Sequence, residues 1–287
     1  MTTTAALYAQ GTAFLQAAGI DDPQLESAFF LCDILALSRS ALYLEEREVG
    51  PAEEALFRTC LKRRAHGEPF AYIVGHQDFR GHDFLVSPAV LIPRPETEMV
   101  VEELLSLIPD PQTFSGTILD LGTGSGILPV SLGLELPQAT FVAVDISLAA
   151  LAVARQNIQR HGCTQRISLV NADFLSAFGR EALFDFIVAN PPYVKRSTFG
   201  TLQPDVVDYE PHLALDGGGE DGLARITSFA AAVEKYLRPQ GWFLMEIGHD
   251  QKQEVLELFG SFSSFDQLTV LDDYAGLPRL LKARRSR

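Results

Sequence analysis

The chain reads as an α/β protein, a mainly parallel sheet with helices on both faces, preceded by a small helical domain. Three observations predict this. From residue 117 onward, short apolar runs alternate with segments of helical period, the pattern that builds parallel strands joined by crossover helices. Before residue 67 the apolar residues recur at helical spacing, as in packed amphipathic helices. Between these halves, at about 68 to 92, the texture changes to Tyr72-Ile73-Val74 and then Phe79 to Val86, with Gly81 at a short turn. That suggests a β-hairpin linker.

In the first segment, Leu7, Gly11, Phe14, Leu15 and Ala18 share one helical face, and Leu25, Ala28, Phe29, Cys32, Leu35 and Ala36 repeat the pattern. Asp22-Pro23 is a cap followed by a first-turn proline, Gly50-Pro51 opens a third helix, and Gly67 closes it. We expect a helical domain over 1–67, a linker over 68–92 and an α/β domain over 93–287. The helical domain is either a packing module or a docking surface for a macromolecule.

After Leu91-Ile92-Pro93-Arg94-Pro95-Glu96-Thr97-Glu98 comes a helix from about 97 to 107, broken at Pro109-Asp110-Pro111. The alternation then runs through Thr117 to Leu121, a helix near 126 to 136, Thr140 to Val144, a helix near 148 to 161, and Ile167 to Val170. It continues with Phe184 to Ala189, a helix near 222 to 237, the strand Trp242 to Ile247, and a last helix with two strands. Pro129 is tolerable only in a first helical turn, so its helix must start at about Gly126.

The 287 residues are 47% hydrophobic and 21% charged, ordinary for a globular chain with room for two domains. A net charge of −14 argues against stable nucleic-acid binding, which needs a dense cationic field. Two basic runs, Lys62-Arg63-Arg64 and Arg284, Arg285 and Arg287, remain as local patches. The three cysteines and six histidines show no metal-ligand spacing, so no metal is expected. With no leader-like N-terminus and no apolar run of spanning length, a cytoplasmic protein without a membrane partner is expected.

Chemistry concentrates where strands end. Asn190-Pro191-Pro192-Tyr193 follows the apolar run Phe184 to Ala189, and its prolines must end that strand because they cannot donate to a sheet ladder. A side-chain amide, two rigid turns and an aromatic ring at a strand's carboxyl end suit recognition of a planar amide or amine nitrogen. Gly122-Thr123-Gly124-Ser125-Gly126 follows the first strand and opens a helix, where glycines admit a close ligand and the helix start offers N–H groups. Asp145 ends the second strand, where a carboxylate can accept ribose hydroxyl protons or cap the next helix. Asp173-Phe174 follows the third, an acid for an exocyclic adenine N–H and a ring for a purine face. The order of the three favours an adenosine-bearing cofactor.

With these motifs in this order, the chain resembles class I S-adenosylmethionine-dependent methyltransferases that modify amide or exocyclic amino nitrogens. The stretch Pro93-Arg94-Pro95-Glu96-Thr97-Glu98, with Glu210-Pro-His-Leu-Ala-Leu215, Asp221-Gly222-Leu223 and Tyr274-Ala-Gly-Leu-Pro-Arg279, is similar to the bacterial HemK/PrmC family. That family comprises the protein-(glutamine-N5) methyltransferases of peptide chain release factors, and the similarity covers nearly the whole chain. It implies a seven-stranded Rossmann-like sheet, S-adenosyl-L-methionine as methyl donor with S-adenosyl-L-homocysteine as product, and class 1 release factors as partners of a monomer.

By the same resemblance, Asn190, Pro191 and Tyr193 are catalytic, and Asn190, Pro191, Pro192, Tyr193, Arg94 and Glu96 hold substrate. The cofactor would lie against Gly122, Thr123, Gly124, Ser125, Gly126, Asp145, Asp173, Phe174 and Asn190. Arg94, Glu96 and Glu98 are equally a helix start, since acids suit its dipole. Glu246, at a strand end, is either buried and paired or faces the cleft. Adenine-N6 and ribosomal-protein glutamine methyltransferases, which share Asn-Pro-Pro-Tyr, are the alternatives.

Overall fold

The computed structural model describes residues 2–179 and 183–287. The chain divides into two compact units, Met1–His76 with Gln203–Tyr209, and Gln77–Leu202 with Glu210–Arg287.

The first unit contains β1 (Thr2–Thr3), α1 (Thr4–Ala17), α2 (Pro23–Leu35), α3 (Arg39–Leu44), β2 (Glu48–Val49), α4 (Pro51–Ala65) and α5 (Phe70–Val74). Helix α1 starts where Thr3 Oγ1 accepts from the Ala6 amide, and α4 starts at Pro51 with the Glu53 carboxylate accepting from the Gly50 amide at 2.9 Å. The helices bury Leu7, Leu15, Phe30, Leu31 and Phe57 between them. Gly11 lies inside α1 because a Cβ there would sit 2.4 Å from Ser27 Oγ and 2.5 Å from the Phe57 ring.

Two local expectations are corrected here. Asp22 makes no side-chain cap bond at the start of α2. Tyr72-Ile73-Val74 is helical, closed by Gly75 at φ +84°, so the hairpin begins only after it. The basic run at the end of α4 is taken up locally, Arg63 by Glu68 and Arg64 by Glu26.

The second unit begins at Gln77, inside the hairpin β3 (His76–Phe79) and β4 (His82–Leu85), whose turn residues Arg80 and Gly81 have φ of 53° and 74°. Then come α6 (Glu98–Ser106), β5 (Thr117–Leu121), α7 (Ile127–Glu135), β6 (Thr140–Asp145), α8 (Leu148–Arg160), β7 (Ile167–Asn171) and β8 (Phe184–Ala189). After α9 (Pro204–Tyr209), counted with the first unit, follow α10 (His212–Leu215), α11 (Ala224–Tyr236), β9 (Leu237–Glu246), α12 (Lys252–Gly260), β10 (Phe265–Asp272) and β11 (Pro278–Arg285). Pro129 is the third residue of α7, inside its first turn as its missing N–H requires.

The predicted α/β class is what forms. One sheet of seven strands runs β10-β11-β9-β8-β5-β6-β7, parallel from β9 through β7 and antiparallel where β11 enters between β9 and β10. One face packs Val100, Leu104, Val130, Leu132 and Ile158 of α6, α7 and α8. The other packs Phe229, Val233, Val255 and Phe259 of α11 and α12. Strands β5 and β8, apolar toward both layers, lie side by side with Leu121 opposite Ala189. The chain leaves β5 toward β6 on one side while β8 lies on the other, so the connections diverge there and leave a crevice at the strands' carboxyl ends.

Candidate active site

That crevice holds a pocket of about 1090 Å³ counting its open mouth. Its floor is the turn after β5, where Gly122, Gly124 and Gly126 all have positive φ, a conformation that admits glycine at least cost. Gly122, Thr123, Gly124 and Ser125 line the pocket. Gly126 instead caps α7, where a Cβ would meet Ala154 Cβ at 3.2 Å, so it brings α7 close to α8.

Asp145 lines the same wall. Its Oδ2 accepts from the Gly124 amide at 2.9 Å and its Oδ1 from the Ser147 amide at 2.8 Å, while the N-cap of α8 is the Ser147 side chain. The carboxylate therefore ties the glycine turn to the end of β6 and keeps a second lone pair on each oxygen for a ligand hydroxyl. Burial raises its pKa, opposed by the amides of Ser147, Gly124 and Ile146. Asp173 and Phe174 also line the pocket, and the Phe174 ring is held 4.6 Å from Phe229.

Asp120, at the end of β5, lies 2% exposed behind the glycine turn. Burial lifts its carboxyl to about 7, with Thr123 opposing the rise and the Asp145 charge adding to it. Among the described residues neither Asp120 Oδ2 nor Thr123 Oγ1 completes a hydrogen bond of good geometry. A buried carboxylate with an oxygen to spare is complementary to a cationic ligand. The Asp145 carboxylate, the glycine turn and the Phe174 ring line the pocket and fit an adenosine-bearing cofactor such as S-adenosylmethionine, with Asp120 set behind that wall.

Asn190 and Pro192 also line the pocket, and a Cβ on Gly122 would lie 4.0 Å from the Asn190 carbonyl oxygen. The glycine turn and the Asn190-Pro-Pro-Tyr193 turn are thus neighbours across one sheet seam. Pro191 is buried. Neither Pro191 nor Tyr193 is on the pocket wall, and the Tyr193 hydroxyl instead donates to Glu246 Oε1 at 2.9 Å. Arg94 lines the pocket, and Glu96 is exposed and off the wall. Arg94 pairs with the buried Glu210 carboxylate, which also accepts from the Ile92 amide at 3.0 Å, so the stretch around Pro93 is pinned to the segment after α9.

The strand-end loop is held from behind. Gln251 Nε2, on a side chain 1% exposed, donates to the Tyr193 and Asp221 carbonyls at 3.0 Å each. Gly222 has φ +72°, and a Cβ there would lie 2.4 Å from the Tyr193 carbonyl oxygen. Thr97, Gln251 and Asp120 escaped sequence reasoning as site residues, and Glu246 was left undecided. The available signal was a lone acid at the end of each apolar strand, Asp120 in β5 and Glu246 in β9, since a buried charge needs a partner.

Sequence profiles described as "PrmC N-terminal domain" and "Methyltransferase small domain" match residues 6–75 and 97–213. The release factor glutamine methyltransferase of Koribacter versatilis is 42% identical over 272 residues, 94% of this chain and 94% of the relative. The chain belongs to the release factor glutamine methyltransferase family. A second family member, from Geobacter sulfurreducens, is 39% identical over 272 residues, 94% of this chain and 93% of that protein.

Solved structures agree on the fold of this family. A Pyrococcus furiosus methyltransferase superposes with TM-score 0.53 at 15% identity, over 79% of this chain and 98% of that one. The T. thermophilus 16S rRNA N2 G1207 methyltransferase in complex with AdoMet and guanosine gives 0.51 at 21%, over 74% and 50%. The family member described here is thus a methyltransferase, with the pocket at the switch point of its sheet. Among the described residues no helix is long and apolar enough to cross a membrane, and no His/Cys/Asp/Glu cluster could hold a metal ion.

Proposed function

We propose that the chain transfers the methyl group of S-adenosyl-L-methionine to the side-chain amide nitrogen (N5) of the glutamine in the Gly-Gly-Gln motif of class 1 peptide chain release factors. The observation that carries this reading is that Asn190 lines the same pocket as the glycine turn and Asp145. The donor supplies an electrophilic methyl group when bound against Gly122 to Ser125, Asp145, Asp173 and Phe174.

An amide nitrogen is a poor nucleophile because its lone pair is shared with the carbonyl. In our reading Asn190 Oδ1 and the Pro191 carbonyl accept the two N–H bonds of the substrate, so positive charge growing on nitrogen is met by fixed dipoles. As the nitrogen–carbon bond forms and the sulfur–carbon bond breaks, the nitrogen releases one proton past these acceptors to water. Holding nitrogen, methyl carbon and sulfur in line supplies the rest, a term worth up to roughly 7–11 kcal/mol in well-oriented systems. The prolines keep the acceptors rigid. The helical unit is assigned to docking of the protein substrate.

An adenine-N6 activity would need a cationic face for nucleic acid, whereas the net charge is −14 and the first basic run is partly neutralised by pairs of Arg63 with Glu68 and Arg64 with Glu26. The test is incubation with methyl-labelled S-adenosylmethionine and a release factor, its Gly-Gly-Gln variant with Gln→Ala, or duplex DNA. Label is expected only on the unaltered release factor. Label on DNA, or on the Ala variant, would overturn the assignment.

A further inference from the structure

From Asn190 and Thr97 on the pocket wall, a chain of three hydrogen bonds that the transfer reaction itself does not require runs inward. Asn190 Nδ2 donates to Thr97 Oγ1 at 3.1 Å, Thr97 Oγ1 donates to Glu246 Oε2 at 2.6 Å, and the Tyr193 hydroxyl donates to Glu246 Oε1 at 2.9 Å. Thr97 and Glu246 are 1% and 2% exposed, so water does not compete for these groups.

A threonine hydroxyl has one proton. Thr97 can give it either to the Glu246 carboxylate or to the Asn190 amide oxygen, and the charged acceptor forms roughly twice as strong a bond. With the proton committed to Glu246, Thr97 Oγ1 can only accept, so the group facing it must be the Asn190 NH2. Reversing the amide would set two oxygens against each other in a buried site. Burial pushes the Glu246 carboxyl up, and the bonds from Thr97 and Tyr193 and the charge of Arg279, itself held by Asp273 through its Nε at 3.3 Å, act in favour of its carboxylate.

We propose that Glu246, acting through Thr97, fixes the direction of the Asn190 amide so that Oδ1 faces the substrate, and that this selects an –NH2 donor over an oxygen acceptor. Thr97 and Glu246 are positioning residues, and of the three hydrogen-bonded side chains Asn190 is the one that meets the reacting group. The device gives the site its preference for glutamine over glutamate, two side chains of nearly equal shape. Oδ1 accepts from the amide nitrogen of the first and opposes the carboxylate of the second. A reversed Asn190 would present its NH2 and favour the carboxylate. The inference rests on the substrate reading above and accounts for its specificity.

Two measurements on the full-length protein test it. Without substrate, a nuclear Overhauser contact between the Asn190 Nδ2 protons and the Thr97 methyl group is expected in the wild-type protein. Its absence would show the amide reversed and would overturn the proposal, whatever the activity. With release factor as substrate, Thr97→Val removes the hydroxyl at nearly constant volume. It should lower kcat about 100-fold, the usual loss for one misdirected transition-state hydrogen bond, with the Kd for S-adenosylmethionine changed less than about threefold.

In the same variant, a release factor carrying Gln→Glu in its Gly-Gly-Gln motif should gain about tenfold as an inhibitor relative to the KM of the unaltered protein. Thr97→Ser, which keeps the hydroxyl, should restore both values. A Thr97→Val protein with wild-type kcat and unchanged Gln/Glu discrimination would overturn the proposal. A wild-type protein that shows the nuclear Overhauser contact but labels no release factor would support the amide direction and refute the substrate reading, so the two failures are distinguishable.

Discussion

Replacing Asp120 by Asn removes a buried ionisation at nearly constant side-chain volume, and the consequence can be worked from the structure. Burial lifts this carboxyl from its ordinary 3.8 to about 7. At 1.36 kcal/mol per pKa unit, that difference between folded and unfolded chains amounts to about 4 kcal/mol. The folded pKa is the higher one, so the folded chain binds the proton more tightly. The stability this contributes is fully present below about pH 4, falls as pH rises toward about 7, and is gone above it.

An Asp120→Asn variant has no such slope. Against it, the wild-type protein should lose up to about 4 kcal/mol between pH 4 and 7.5, which is about 8–16 °C in Tm for a domain of this size. The assay is thermal unfolding of the ligand-free protein at several pH values, followed through the α/β unit. S-adenosylmethionine adds a second reading, because the field of ionised Asp120 behind the glycine turn should favour the cation and raise the wild-type Tm more at pH 8 than at pH 5. The variant should lose that difference. Parallel Tm-versus-pH curves for the two proteins would refute the reasoning.

Asn190→Ala should abolish methyl transfer and leave S-adenosylmethionine affinity within a few fold, measured by single turnover and calorimetry; retained turnover would remove Asn190 from its role. Tyr193→Phe deletes one of the two hydroxyls that satisfy the buried Glu246, so a stability loss of about 1–3 kcal/mol is expected in denaturant unfolding. Gly222→Ala forces a Cβ to within 2.4 Å of the Tyr193 carbonyl oxygen at φ +72°. It should cost about 1–3 kcal/mol and lower kcat, whereas a variant of normal stability and rate would show that the loop yields freely. Asp145→Ala should weaken S-adenosylmethionine binding about tenfold or more, as expected where a charged ligand contact and the tie to the Gly124 amide are lost together.

Much of the site was legible because its signals are local. Asn190 could be assigned to a strand end from Pro191 and Pro192 alone, and the glycine turn to a strand-to-helix junction from its spacing. Legibility failed where a side chain's meaning depends on a distant partner. Tyr193 reads as a ring for the substrate amide, yet its hydroxyl is aimed at Glu246. Gly126 reads as part of the ligand cradle, yet its bare α-carbon lets α7 approach Ala154. Tyr72-Ile73-Val74 shows the same limit in secondary structure, since three apolar residues fit a strand or a buried helical turn and only Pro69 and Gly75 on either side settle it.

The sequence by itself determined the order of the main strands and helices of the α/β unit and the residue types at the strands' carboxyl ends. Periodicity and chain breakers act over a few residues and need no partner. Only the tertiary structure decided that β8 lies beside β5, which brings Asn190 to the glycine turn. It alone set Thr97 against Glu246 across 149 residues of chain. Strand order and buried hydrogen bonds are choices among distant partners, made by which cores can be filled and which polar groups satisfied together, and no local pattern records them.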